Sequence, residues 1–197
     1  MRPIRAILFV CLCFFAISVY GQISTTTLWN FKLNSTTQSQ VLRTLQQKGI
    51  TKVLSDSVST ETHLFDIHEG RMKDSKDKFA RVQCFARAIP YEGINWNNAI
   101  FYFHNGKLVS VGLSVQTIAS QKQELIDVKN QFQNFLEKHY LDYKVDVNSS
   151  VADYYTDETT DILFNYQALN AKEPKILFQI FDGKALLEME KQRVYQK

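Results

Sequence analysis

The sequence predicts an α+β fold, in which an antiparallel sheet carries two helices on one face. Three observations support this fold class. Two segments carry apolar residues at helical spacing, two Asx-Gly dipeptides each separate a pair of strand-like segments, and the stretch 79–89 alternates between two faces. Because both hairpin signals join neighbouring strands, we expect antiparallel pairing to dominate.

The two predicted helices have recognisable starts. Ser35 or Thr37 can cap the first helix, each with a glutamine three residues later, and Gly49 stops it. Its apolar face comprises Val41, Leu42 and Leu45. The second helix begins at Ser120, where Gln123 completes a capping box. Its apolar stripe, which should lie on the sheet, comprises Leu125, Val128, Phe132, Phe135 and Leu136.

Two hairpins are predicted from turn chemistry, one at Asn105-Gly106 and one at Asp182-Gly183. Both dipeptides suit the left-handed backbone of a type I′ turn. The strands that these turns would join are 100–104 with 107–115 and 176–181 with 184–189, and a further strand is predicted over 162–168.

Cys84 is predicted to be a buried packing residue. Alternation along Phe79 to Ile89 places it on a face of small residues, on which the second helix should pack. Free cysteine is among the most buried residue types, so we expect an inert core thiol rather than a catalytic one. The small face comprises Ala80, Val82, Cys84, Ala86 and Ala88.

The first 21 residues are typical of a cleaved signal peptide. Arg2 and Arg5 form its basic start, the run from Ala6 to Ser18 is too short to span a bilayer comfortably, and the mature chain should begin at Gln22. An uncleaved membrane anchor is the alternative. Residues 22–197 would then form a single α+β domain, periplasmic or secreted, without a further membrane-spanning segment.

The charge balance gives no indication of a nucleic-acid partner. The chain has 23 Lys and Arg against 20 Asp and Glu, a net charge of +3, and removal of Arg2 and Arg5 lowers this by two. Nucleic-acid binding relies on concentrated positive charge. We therefore expect no nucleic-acid partner, and the first hairpin, described below, indicates a protein or cell-envelope partner instead.

The element order suggests an internal duplication over 28–117 and 118–191. Both predicted hairpins share the pattern F-x-x-x-[ND]-G-K, which starts at Phe101 and Phe178. On these features the chain resembles the beta-lactamase-inhibitory-protein-like fold of exported proteins, which is similar to small outer-membrane assembly lipoproteins. The chain lacks the lipoproteins' lipid-attachment cysteine and the inhibitors' cysteine pair, so no functional residue is carried over. A single cystatin-like curved sheet with one helix is the rival architecture.

The enzymatic alternative is a small exported hydrolase. Its site would join His63 or His68 to a cluster of carboxylates that comprises Asp153, Asp157, Glu158 and Asp161. The sequence has no G-x-S-x-G elbow, no phosphate-cradling glycine loop and no recognised metal-ligand spacing. We therefore expect no metal and no cofactor, and a solvated turn is the competing interpretation of the carboxylate segment.

The first hairpin indicates a non-catalytic binding module instead. An uninterrupted type I′ register pairs Tyr102 with Val109, which leaves a second apolar face pointing away from the helices. An uncovered apolar face marks a partner surface, unless residues 26–33 or the loop 90–98 cover it. The predicted partner-binding residues are Tyr91, Trp96, Tyr102, Val109, Val111 and Leu113.

Overall fold

The fold is α+β with an antiparallel sheet, as predicted. The structure, a computed structural model, describes residues 23–50, 52–57, 62–66, 79–147 and 149–188, so the predicted signal peptide lies outside the described residues. The helices are α1 (Gln38–Gln47) and α2 (Lys122–Tyr140), with a further helical segment at 183–188. The strands are β1 (Lys52–Ser57), β2 (Thr62–Asp66), β3 (Phe79–Tyr91), β4 (Ile94–His104), β5 (Lys107–Gln116), β6 (Lys144–Val145), β7 (Ala152–Thr156), β8 (Thr160–Asn165) and β9 (Lys175–Asp182).

The described strands form one sheet of nine, in the order β2-β1-β3-β4-β5-β9-β8-β7-β6. Strands β3 to β5 form one meander and strands β6 to β9 form another. Their last strands, β5 and β9, pair antiparallel at the centre, with Ser110 opposite Phe181 and Gln116 opposite Lys175. The chain therefore reaches the middle of the sheet twice, from opposite sides.

Helix α1 begins with the predicted capping box at Thr37. The Thr37 hydroxyl accepts the backbone N–H of Gln40 at 3.3 Å, and the backbone N–H of Thr37 donates to Gln40 Oε1 at 2.7 Å. Two of the N–H groups that a helix start leaves unpaired are satisfied in this way. The helix ends before Gly49, whose φ of 72° is left-handed, and it buries Val41, Leu42 and Leu45.

Helix α2 starts later than predicted, because Ala119–Gln121 form a 3-10 turn and the helix begins at Lys122. Its N-cap is Gln121, which makes no side-chain cap, so the capping box predicted at Ser120 is wrong. The predicted apolar stripe is confirmed, since its members Leu125, Phe132 and Leu136 are buried.

One hydrophobic core lies between the helices and the sheet. The paired residues Ala99, Leu113, Phe178 and Phe164 share a face, because directly opposed residues of antiparallel strands point to the same side. Phe132 of α2 lies 4.9 Å from Phe178 and 5.2 Å from Phe164 between ring centroids. The buried residues of α1 belong to the same core. We call this the helix-side face and the opposite one the outer face.

Cys84 lies on the helix-side face, paired with Val53 and Ala99, and it is fully buried. Burial raises the pKa of its thiol to about 12, although a hydrogen bond with the Ala99 backbone opposes this. The prediction of a buried thiol is confirmed. The aromatic contacts of Phe132 place α2 over β8, β9 and Trp96 near the start of β4. The sequence predicts instead that this helix packs on the small residues of β3.

The first predicted hairpin is confirmed and the second is wrong. Asn105 and Gly106 have φ values of 50° and 73°, as a type I′ turn requires. After Asp182, however, the chain enters the helical segment 183–188 instead of a strand. Asp182 Oδ1 accepts the backbone N–H of Ala185 at 2.9 Å, so the Asp-Gly pair begins a helix.

No helix among the described residues is long and apolar enough to cross a membrane.

Candidate functional site

A β-bulge in β5 changes the face on which the predicted partner residues lie. Phe103 pairs with Leu108, but Tyr102 pairs with Ser110, so Val109 is an extra residue. Every later residue of β5 is displaced by one position, which flips its side chain to the other face. Val111 and Leu113 therefore oppose Phe101 and Ala99 on the helix-side face, where each is 1% exposed. Their predicted outward orientation is wrong, and Val109 is buried as well.

Trp96 and Tyr91 belong to the core rather than to an exposed loop. Trp96 is 0% exposed, and its ring lies 5.1 Å from Phe132. Its indole N–H donates to the Tyr91 carbonyl at 3.3 Å. The Tyr91 ring stacks on Phe178 at 5.8 Å, and burial first, then the nearby Tyr140 and Glu92, raises the pKa of its hydroxyl. Both aromatic side chains therefore seal the end of the β3–β4 hairpin.

Tyr102 does lie on the outer face, in a regular array at the centre of the sheet. Three paired rows cross strands β4, β5 and β9, and none of their side chains is charged. We call these nine residues the outer patch, and they are Asn98, Ser114 and Leu177 in the first row, Ile100, Gly112 and Gln179 in the second, and Tyr102, Ser110 and Phe181 in the third.

The larger side chains of the outer patch, most of them apolar or aromatic, surround a glycine at its centre. Five of its side chains are half-buried, namely Ile100, Tyr102, Leu177, Gln179 and Phe181. Gly112 lies at the middle, where a Cβ atom would stand 3.9 Å from the nearest atoms of Ile100 and Leu177. The strands beside the patch carry charge on the same face, because Arg81 pairs with Tyr102 and Asp161 pairs with Phe181. The patch is therefore an uncharged surface whose third row is flanked by one cation and one anion, while the other flanking residues, Gln83, Phe85, Leu163 and Asn165, are uncharged.

Hydrogen bonds hold the amide and serine side chains of the patch, and one of these bonds comes from Gln83 beside it. Gln83 Nε2 donates to Asn98 Oδ1 at 3.0 Å, and Asn98 Nδ2 donates to the Ser114 hydroxyl at 2.9 Å. On the other side of β5, Gln179 Nε2 donates to the Ser110 hydroxyl at 2.9 Å. These bonds fix side chains that would otherwise need water, so the patch presents a largely preorganised surface.

The acidic residues of the predicted hydrolase site do not converge. Asp153 pairs with Phe164 on the helix-side face, whereas Asp161 pairs with Phe181 on the outer face. Lys144 Nζ contacts Asp153 at 3.1 Å, and Gln133 Nε2 donates to it at 2.7 Å, so this carboxylate ties α2 to β6 and β7. Asp157 is bound by backbone N–H groups in the β7–β8 turn.

No group of three or more His, Cys, Asp or Glu side chains that could hold a metal ion occurs in the described part of the chain. His63 lies in strand β2, but its side chain is not among the described parts of the structure. His68 lies outside the described residues altogether. Joining either histidine to the carboxylates therefore stays a prediction.

The outer patch was only partly predictable from the sequence. Ile100 and Tyr102 could be assigned to it by alternation. On β5, an uninterrupted register predicts that Val111 and Leu113 face outwards. Because of the bulge, the outward-facing residues are Ser110, Gly112 and Ser114. The usable signal was the lack of charge at alternate positions from Asn98 to Tyr102 and from Leu177 to Phe181, since an exposed sheet face normally carries polar and charged side chains.

Comparison of the chain with family models, with curated proteins and with solved structures gives no significant match in any of the three.

Proposed function

We propose that this protein is an exported, non-catalytic binding module that contacts a protein partner through the outer patch. The observation that carries the proposal is the uncharged three-by-three array bordered by Arg81 and Asp161. Protein interfaces commonly place aromatic and apolar residues at the centre and charged residues at the rim. Tyrosine is also over-represented among the residues that dominate binding energy.

The export part of the proposal rests on residues 1–21 and on the position of Ile23. Ile23 is 1% exposed, and its backbone N–H donates to Asp157 at 2.7 Å. Ile23, the residue after the predicted mature start at Gln22, is therefore anchored in the fold. Amino-terminal sequencing of the protein made by its own cells should start at Gln22, and a start at Met1 would contradict cleavage.

Site-specific crosslinking tests the outer patch. A photoreactive phenylalanine analogue at Tyr102 should form one defined adduct in the producing cells, whereas the same group at Lys138, on the exposed side of α2, should not. Mass spectrometry identifies the adduct. No adduct at Tyr102, or the same adducts at both positions, would contradict the proposal.

A matched pair of substitutions provides the second test. Tyr102→Glu places a charge in the uncharged patch and should reduce capture of the crosslinked partner at least 10-fold, whereas Tyr102→Phe should retain most of it. Both variants should unfold at nearly the same temperature as the parent protein, because Tyr102 is only half-buried.

A further inference from the structure

A groove of about 940 Å³ lies beside β3, where its lining residue Phe85 pairs with Asn98 of the outer patch. The end of α1, the segment around Trp29 and the irregular part of β3 form its walls. Its volume falls within the range of clefts that hold small ligands. The groove is lined by Trp29, Lys48, Gly49, Ile50, Phe85, Ala86, Arg87, Ala88, Pro90 and Asn95.

The charge of the groove is positive and uncompensated by its own lining. Lys48 and Arg87 are both exposed, and none of the ten lining residues is acidic. Neither cation forms an ion pair with another described residue. Two cations on one concave surface attract an anion more strongly than either would on a flat surface.

Two aromatic side chains stand beside these cations. Lys48 Nζ lies 5.1 Å from the centre of the Trp29 ring, and Phe85 is 58% exposed, which is unusual for a phenylalanine. Aromatic contacts connect Trp29 to the core. Its ring packs edge-on against Phe31 at 6.0 Å between ring centroids, and Phe31 packs edge-on against the core residue Phe101 at 5.7 Å.

The backbone on both sides of the groove is irregular. Trp29 and Asn30 have φ values of 56° and 63°, a left-handed conformation that is unfavourable for a bulky residue such as Trp29. Opposite them, the β3–β4 register shifts between Phe85 and Ile89, and β1 pairs with β3 only as far as Cys84. Strained residues and bulges are both concentrated at binding sites.

We propose that this groove binds a small organic anion that combines a carboxylate, sulfonate or phosphate group with a planar apolar ring. The anionic group lies between Lys48 and Arg87, and the ring packs against Phe85 and the Trp29 indole. The small side chains of Ala86 and Ala88 leave room for it. An added peptide strand fits less well, because the bulge and Pro90 interrupt the strand edge.

The probe is anilinonaphthalene sulfonate, an aromatic anion that fluoresces when bound. Binding is followed through the sulfonate's own emission on direct excitation, because Trp96, beside the lining residue Asn95, would transfer energy as Trp29 would. The neutral analogue phenylnaphthylamine and inorganic phosphate separate the contributions of the charge and the ring. We expect one bound sulfonate per chain, at least about 10-fold weaker binding of either comparison compound, and weaker binding at high salt.

Charge reversal locates the site. The double variant Lys48→Glu with Arg87→Glu should weaken sulfonate binding about 10-fold or more, whereas Lys138→Glu, which changes an exposed cation on α2, should leave it unchanged. Trp29→Ala should also weaken sulfonate binding, while Tyr102→Glu in the outer patch should not affect it. Equal binding of the neutral analogue, or an equal loss in the Lys138 variant, would overturn the proposal.

Discussion

The hydroxyl of Tyr154 donates a 2.6 Å hydrogen bond to Oδ1 of Asp161, and the other carboxylate oxygen of Asp161 occupies the space beside Gly183. Burial, followed by this hydrogen bond, raises the pKa of Tyr154 to about 12. A Cβ atom at Gly183 would collide with Asp161 Oδ2. The start of the helical segment 183–188 is therefore packed directly on strand β8.

Gly183→Ala should lower the free energy of unfolding by about 1–3 kcal/mol, because the new methyl group forces the bonded carboxylate to move. The cost should shrink by at least about 0.5 kcal/mol when Asp161→Ala is present, since the colliding atoms are then absent. Urea unfolding of the two single variants and the double variant measures this coupling. Additive costs would contradict the proposed collision.

Asp157→Asn should destabilise the protein by about 1–2 kcal/mol near neutral pH, because the charged side chain accepts hydrogen bonds from Ile23, Thr159 and Thr160. Desolvation opposes ionisation, but these bonds lower the pKa of Asp157 below its ordinary 3.8. A lowered folded-state pKa stabilises the fold fully above pH 3.8, and this contribution is lost as the pH falls through the folded value.

The difference in unfolding free energy between Asp157→Asn and the parent protein should therefore be constant above pH 5 and should shrink below pH 3.8. Urea unfolding between pH 2 and pH 7 measures it. A difference that grows on acidification would reverse the assigned direction of the pKa shift.

Cys84 should resist alkylation in the folded protein and react once the protein is unfolded. Its pKa is raised to about 12 and the side chain is fully buried, so neither thiolate nor reagent access is available. Because only the unfolded state ionises readily above the ordinary value of 9.0, stability should also decline as the pH rises beyond 9. Mass spectrometry after iodoacetamide treatment of a chain that starts at Gln22, with and without guanidinium, provides the measurement.

Cys84→Ala should cost about 1 kcal/mol of stability, and Cys84→Leu should cost more through overpacking. Rapid labelling of the folded protein, or a disulfide-linked dimer, would contradict the burial of this thiol.

Leu113 and Leu177 provide a matched test of the two sheet faces. Leu113 is 1% exposed on the helix-side face, whereas Leu177 is half-buried on the outer face. Leu113→Ala should cost about 2–5 kcal/mol, the usual range for a buried leucine, and Leu177→Ala should cost clearly less because part of its surface is already in water. Equal losses in thermal or urea unfolding would show that the outer face is as deeply buried as the core.

Tyr155→Phe should leave stability unchanged or raise it slightly. Tyr155 is 0% exposed, and its hydroxyl has no hydrogen-bond partner among the described residues. Removal of an unsatisfied buried polar group relieves a desolvation penalty. A loss of more than about 1 kcal/mol in urea unfolding would indicate that the hydroxyl has a bound partner, such as an ordered water.

Local chemistry was sufficient to predict the elements whose partners are close in the sequence. The Thr37 capping box and the Asn105-Gly106 turn both depend on contacts within a few residues, and both are present. The burial of Cys84 followed from simple alternation along β3, since its neighbours on the same face are small and apolar.

The errors came from features that depend on distant residues. Nothing in the run Leu108 to Leu113 distinguishes a continuous strand from a bulged one, because both faces are rich in small and apolar side chains. Asp182-Gly183 suits a type I′ turn and a helix N-cap equally well. In the structure this pair contacts residues that are distant in sequence: the side-chain N–H of Asn34 donates to Asp182 at 2.7 Å, and Gly183 packs against Asp161.

The pairing of β5 with β9 also constrains how the chain can fold as it is made. Ser110 pairs with Phe181, which is near the end of the described chain. The middle of the sheet can therefore form only after most of the chain has been made. Until then the first meander has an open edge at β5, which is the kind of edge that pairs with other chains. Long-range pairing of this kind is slow. A nascent or translocating chain would therefore expose its central strand longest, and a chaperone acting on this protein would have most to protect at β5.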